Sequence, residues 1–365
     1  NATSLTEDDV FMDYANGDYT LKNSSPAVNA GSNALFTGLD INTKDLAGNP
    51  RVYKYSNAGI IDMGAFENQT MHTGPDANNI LYVNKAVSGG DGSGDSWANA
   101  IPELADALKY ARQQNNFTSG NPLKIYVAKG TYKPLYNAGD GSYTTDGGRD
   151  NAFVMVNNVL VYGGFDPNNG IDDLSDTRFF GSGGSILSGD IGTPNVNTDN
   201  TYHVVISSGA VGSARLDGFT ISGSYNTLSD GSKITVNSNQ IDRAVGGGIF
   251  NQNSSPTIIN TYISANRAAA SGGGMYNESS SPVITNCSFT GNTAFTHGGI
   301  YNIDSSPTLT NTTMANNGSN GFFIRNGTAV LQNSIIWDAV EVFISGGYTA
   351  SYSMVKGANP PGTGN

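Results

Sequence analysis

Residues 246–268 read GGGIFNQNSSPTIINTYISANRA, residues 272–294 read GGGMYNESSSPVITNCSFTGNTA, and residues 298–318 read GGIYNIDSSPTLTNTTMANNG. Asn251, Asn277 and Asn302 hold one register through the three phrases, as do Pro256, Pro282 and Pro307. A second Asn column, Asn260, Asn286 and Asn311, continues to Asn333. A repeat of this period is one supersecondary unit that buries its apolar side only against its neighbours. Each copy consists of short β-prone runs separated by Gly-rich or Ser-Ser-Pro punctuation, with no helical periodicity. Ile258, Ile284, Leu309 and Leu331 form one apolar column, and Ile263, Phe289, Met314 and Ile336 another. The alternation changes phase between them, at the second Asn column, which requires a bend there. Asn260, Asn286, Asn311 and Asn333 are expected to point inward at that corner, their stacked side chains bonding between coils. The pattern predicts a parallel β-helix with coils about 4.8 Å apart, regular over residues 246–336. A propeller blade would need about 40 residues per repeat.

The remaining chain fits this fold. Residues 101–114 hold the one amphipathic helical stripe, with Ile101, Leu104, Ala105, Leu108 and Ala111 on one side. A single helix at the start of a β-solenoid is expected to cover the open end of its core. Residues 225–245 read as a loop. Residues 1–70 stand outside the repeat, residues 71–79 read as a linker, and the solenoid is expected over 80–365.

Composition narrows the partners. The chain has 365 residues, a net charge of -12 and 10% aromatic residues. The acidic balance argues against nucleic acid and anionic membranes. No apolar run is long enough for membrane insertion as a helix. Cys287 is the single cysteine, in register with Thr261 and Thr312, and reads as a small inward-facing residue.

The order of motifs carries a resemblance. A DGSGDSWANA loop (residues 91–100), the amphipathic helix and AKGTYKP (128–134) come first. YGGF (162–165), ILSGDIG (186–192), LDGFTISG (216–223) and the GGGMYN–SSP–TN coils follow. SYSMVKG (351–357), NGDYTL (16–21), SPAVNAGS (25–32) and DMGAFE (62–67) complete the set. Together they resemble bacterial surface β-helix proteins related to polymorphic outer-membrane protein repeats, common in large secreted proteins of Bacteroidota. The resemblance implies a right-handed parallel β-helix at the cell surface of, or secreted by, a Gram-negative bacterium. It also implies an adhesin or structural stalk role. Here the finishing motifs precede the opening ones. Residues 1–68 are therefore expected to finish a preceding unit of a tandem array, with neighbouring copies as end-to-end partners. A circular permutation, with 1–68 folding back on the chain's own last coils, is the other reading.

Chemistry is weighed separately, because fold alone does not decide it. Right-handed β-helices also host pectate lyases and polygalacturonases, so a carbohydrate-binding or polysaccharide-cleaving β-helix is the alternative. A glycosidase needs two carboxylates about 5–10 Å apart. Between Gly246 and Gly318 the charged side chains are Arg267, Glu278 and Asp304, with His297 titratable. Glu278 and Asp304 are out of register, and the expectation is a chain that is not an enzyme. Phe250, Tyr276 and Tyr301 share an outward column that either contacts surface glycans or packs under a loop. Asp140, Asp146 and Asp150, like Asp91 and Asp95, lie in Gly-rich loops that could hold Ca²⁺. Their ordinary reading is as turn residues, and no cofactor is required.

Overall fold

The computed structural model describes residues 6–22, 25–28, 30–40, 42–52, 60–68, 74–140, 145, 147–194, 196–227, 230–318, 320–343 and 345–356. The chain divides into two compact units, Asn1–Pro102 and Glu103–Asn365. The first unit therefore runs past residues 71–79, and its boundary falls just before the helix.

In the first unit, Phe11–Asp13 pairs antiparallel with Asp18–Leu21. The finishing motifs form one buried polar knot. Arg51 Nη1 lies 3.2 Å from Glu67 Oε2, with both side chains almost wholly buried. Arg51 Nη2 donates to the carbonyls of Asp62 and Gly64. The amide of Glu67 donates to Asp45 Oδ2, and that of Asn68 to Asp62 Oδ2. A buried ion pair is tolerated only when its remaining donors and acceptors are met in this way.

The second unit is a parallel β-helix of three sheets. The first sheet runs in parallel from Leu123–Ala128 through Val159–Phe165 and Thr257–Ile259 to Gly347–Ser351. The second runs from Gly130–Tyr132 through Tyr262–Ser264 to Met354–Val355. The third runs from Phe153–Val154 through Ile249–Gln252 to Val340–Phe343. Ile258 pairs with Ile284 and then Leu309, and Ile263 with Phe289 and then Met314. All six are fully buried, so each inward position stacks on its own counterpart.

The corner between the first and second sheets corrects the expectation for Asn260, Asn286, Asn311 and Asn333. All four have positive φ, between 47° and 54°. The left-handed backbone swings their side chains to the outside of the corner. Asn286 Nδ2 donates to Asn260 Oδ1 at 2.6 Å, and Asn260 Nδ2 to Asp217 Oδ1 at 2.9 Å, near solvent. Asn suits this column because it tolerates the left-handed region better than most residues. Gly218, at φ 89°, precedes them in the LDGF corner. The next residue takes the inward place and closes the bend. Thr261, Thr312 and Ser334 each donate a hydroxyl to the carbonyl two residues back. Cys287 does the same with its thiol, and burial pushes that thiol's pKa up to about 12.

The inward polar ladders lie elsewhere. Asn251 Nδ2 donates to Asn277 Oδ1 at 2.7 Å, Asn277 Nδ2 to Asn302 Oδ1 at 2.8 Å, and Asn302 Nδ2 to the carbonyl of Phe323. A second ladder runs from Asn266 through Asn292 and Asn317 to Asp338, with side-chain bonds of 3.0, 2.9 and 2.6 Å. Both are buried.

The helix spans Leu104–Gln114 and begins later than its apolar stripe, because Ile101 forms a β-bridge with Val83. Leu104 and Leu108 line one cavity with Val161, Leu187 and Val205, inward residues of all three sheets, so the helix lies across the end of the core.

The two Asn columns separate in a denaturation experiment. Asn277→Leu strips partners from Asn251 and Asn302 and is expected to cost roughly 2–5 kcal/mol. Asn286→Gly keeps the left-handed corner and is expected to stay within about 0.5 kcal/mol of the wild type. Equal shifts in the denaturation midpoint would contradict this assignment of inside and outside.

Candidate functional site

The outward face of the third sheet carries an elaborated surface. Strand alternation turns Phe250, Tyr276, Tyr301 and Phe323 outward in one register column. Adjacent rings are 5.2, 5.4 and 4.3 Å apart, with interplanar angles of 27°, 6° and 6°. Parallel rings one coil apart spend their faces on each other. Phe250 is 1% exposed and Tyr276 8%. These two are therefore removed from the candidate glycan contacts, and Tyr301 stays half-buried.

The cover is a hairpin, Lys233–Val236 with Asn239–Asp242, inside the segment read as a loop. Its turn residues, Asn237 and Ser238, both have positive φ, as a two-residue hairpin turn requires. Val236 and Ile241 pack on Val154, Ile206, Phe250 and Tyr276. Burial raises the pKa of the Tyr276 phenol above its ordinary range.

Two of the aspartates considered for Ca²⁺ hold this hairpin in place. Asp140 accepts the amides of Asn237 and Ser238 at 2.6 and 2.8 Å. Asp150 takes Arg243 in a two-point pair of 2.7 and 2.8 Å. Amide donors and a guanidinium take the lone pairs a cation would need. Asp146 lies outside the described residues. Among the described residues, no group of three or more His, Cys, Asp or Glu could hold a metal ion.

Beyond the hairpin the column changes chemistry. The position after Phe323 is Glu341. His297 Nε2 lies 3.0 Å from Glu341 Oε2, and Asn320 Nδ2 donates to the same oxygen at 2.8 Å. The His297 ring is buried between Tyr301 and Phe323, with centroids 5.1 and 4.6 Å away. The His297 hydrogen bond, then that of Asn320, holds the Glu341 carboxyl below its ordinary range against some desolvation. Its side chain is 45% exposed, so an ionised carboxylate is presented to solvent in a fixed orientation. Arg325 stands on the neighbouring strand and faces the same side. Such a cluster can orient a sugar hydroxyl or take its proton.

Sequence reasoning reached His297 but not Glu341, which lies beyond the regular phrases. Glu278 is three strands away on this face, about 14 Å at the usual strand spacing. It therefore makes no glycosidase-type pair with Glu341.

Comparison with known proteins fits this architecture. The family described as right handed beta helix region matches residues 206–357. No curated protein matches the chain. Among solved structures, a pectin methylesterase from Aspergillus niger aligns at 11% identity and a TM-score of 0.35, covering 80% of this chain and 85% of that one. Two further pectin methylesterase structures, each with a bound hexasaccharide, align at 11% and 12% identity with TM-scores of 0.36 and 0.38. Each covers 77% of this chain and 92% of its own. These structures are enzymes, which overturns the expectation of a chain that is not one. A likeness this distant assigns neither reaction nor substrate.

Arg243→Met would leave Asp150 half-buried without its cation and loosen the hairpin. The expected cost is about 1–3 kcal/mol, typical of hydrogen bonds to charged groups. Amide exchange in residues 233–242 should accelerate more than in residues 257–264, and a uniform change would contradict the role of this pair.

Proposed function

We propose that this β-helix engages polysaccharide along the outer face of its third sheet. The observation behind this reading is the uncovered end of the aromatic column. There Glu341, held by His297 and Asn320, follows Phe323 in the column, with Arg325 on the neighbouring strand facing the same side. A half-exposed carboxylate with a fixed orientation suits hydroxyl recognition and proton transfer. Arg325 adds a cation that would favour acidic polymers. In this reading Glu341 touches the sugar, while His297 and Asn320 position it.

The test is a panel of neutral and acidic polysaccharides, including pectins, read for binding and for product release. Products would be new reducing ends, unsaturated sugars and liberated methanol. At least one polymer is expected to bind and turn over. Glu341→Gln should then lower turnover by about 10²–10⁴-fold, the usual contribution of a general base, with binding largely retained. Absence of binding across the panel, or a fully active Glu341→Gln, would reject the proposal.

A second reading, a cell-surface adhesin or stalk, has its own observation. The first sheet, from Thr257–Ile259 to Gly347–Ser351, carries no charged side chain, although the chain's net charge is -12. Val283 is among its exposed residues. If this face adheres, Val283→Lys should release protein-coated beads from the cell surfaces that retain the wild type. Undiminished retention would rule the face out.

A further inference from the structure

The hairpin over the aromatic column is latched at both ends. At its turn, Asp140 takes the amides of Asn237 and Ser238. At its open end, Arg243 forms the two-point pair with Asp150. A buried histidine lies beside that second latch. His203 is 1% exposed, and its ring meets Phe250, which the hairpin covers, at 5.4 Å and 70°. Its Nδ1 is 2.9 Å from the carbonyl oxygen of Gly246. A carbonyl only accepts, so Nδ1 carries the hydrogen and donates it. Nε2 is buried and has no hydrogen-bond partner among the described residues. The imidazole under the closed hairpin is therefore neutral, with a bare lone pair turned into a dry site.

We propose that the hairpin is an acid-released cover, and that His203 is the group that releases it. A proton added to Nε2 makes a cation and a second N–H donor where neither water nor an acceptor meets it. Burial is the largest influence and holds the His203 pKa below its ordinary range. The Gly246 hydrogen bond works the other way, as do the charges of Asp150, from the segment before Ala152, and Asp242, at the end of the hairpin. Arg243 adds to the effect of burial, and Asp150 is already paired with it. Protonation is thus favoured only with the hairpin displaced, where water reaches the ring and its ordinary value of about 6.5 returns. The closed form has the depressed pKa, so its stabilisation is complete above about pH 6.5 and is lost as the pH falls below it. A two-stranded hairpin has little stability of its own, so once lifted it frays. Its displacement uncovers Phe250 and Tyr276, whose rings continue the row from Tyr301.

The inference does not rest on the polysaccharide reading, because its readout is the exchange of backbone amides in the full chain. Hydrogen exchange at about pH 7.5 and about pH 5 brackets the range in which histidine ordinarily changes charge. Each rate is corrected for the intrinsic effect of pH, so that protection factors are compared. Protection across residues 233–242 is expected to fall about tenfold or more at the lower pH. Protection across residues 257–264, in the coils, should change less than about twofold. His203→Gln keeps an N–H for the Gly246 carbonyl but cannot take up the proton, and it should abolish the difference. His203→Phe serves the same purpose if that variant fails to fold. The inference is overturned if hairpin protection in the wild type is equal at both pH values, if the coils lose as much, or if a folded variant keeps the response.

Discussion

Parallel stacking imposes one constraint on everything else in the second unit. Each coil lies about 4.8 Å above the last with its residues in register, so every side chain sits on its own counterpart. A buried polar residue must then find its partner along the stack. Asn carries a donor and an acceptor in one planar group, and a column of Asn therefore closes on itself. The two inward ladders follow this logic to their ends. The one from Asn251 stops where Ile324 takes the position, and Asn302 hands its last donor to the carbonyl of Phe323. The one from Asn266 stops at Asp338, which only accepts and receives both the side-chain and the backbone N–H of Asn317.

The same constraint made the fold readable before any coordinates. Identical residues recurring every 25 or 26 positions could have no other economical meaning, and Ile258, Ile284 and Leu309 named the core directly. What sequence alone did not separate was inside from outside among the Asn columns. Asn277 and Asn286 look alike in a string, yet one is buried in a strand and the other turns a corner with φ of 54°. The usable signal was the residue that follows. Thr261, Cys287, Thr312 and Ser334 are small and able to donate back to the chain, and they occupy the inward place that the Asn vacates.

The candidate site was less legible, for a different physical reason. Its parts lie where the repeat stops constraining the sequence. The hairpin is an insertion whose Ile234, Val236 and Ile241 alternate too briefly between polar neighbours to stand out from a loop. Glu341 occupies the outward column that begins with Phe250, but its coil is shorter than those before it, so alignment by period loses the register. Once the strands are paired, the substitution is plain: an aromatic position has become a carboxylate.

Where that substitution falls is itself determined by the cover. Under the hairpin, an outward residue of the third sheet is as dry as the core, and Phe250 and Tyr276 meet that condition with ring faces stacked on each other. A carboxylate there would lose its hydration, at several kcal/mol, with no cation in the column to offset it. Beyond the hairpin solvent returns, and Glu341 stays ionised with two hydrogen-bond donors while keeping nearly half its side chain open. The ten-residue hairpin, with His297 against Phe323, thus divides one column into a structural part and an end where charge is permitted. Chemistry on this face has to sit at the uncovered end, because only there does an ionised group cost little to present.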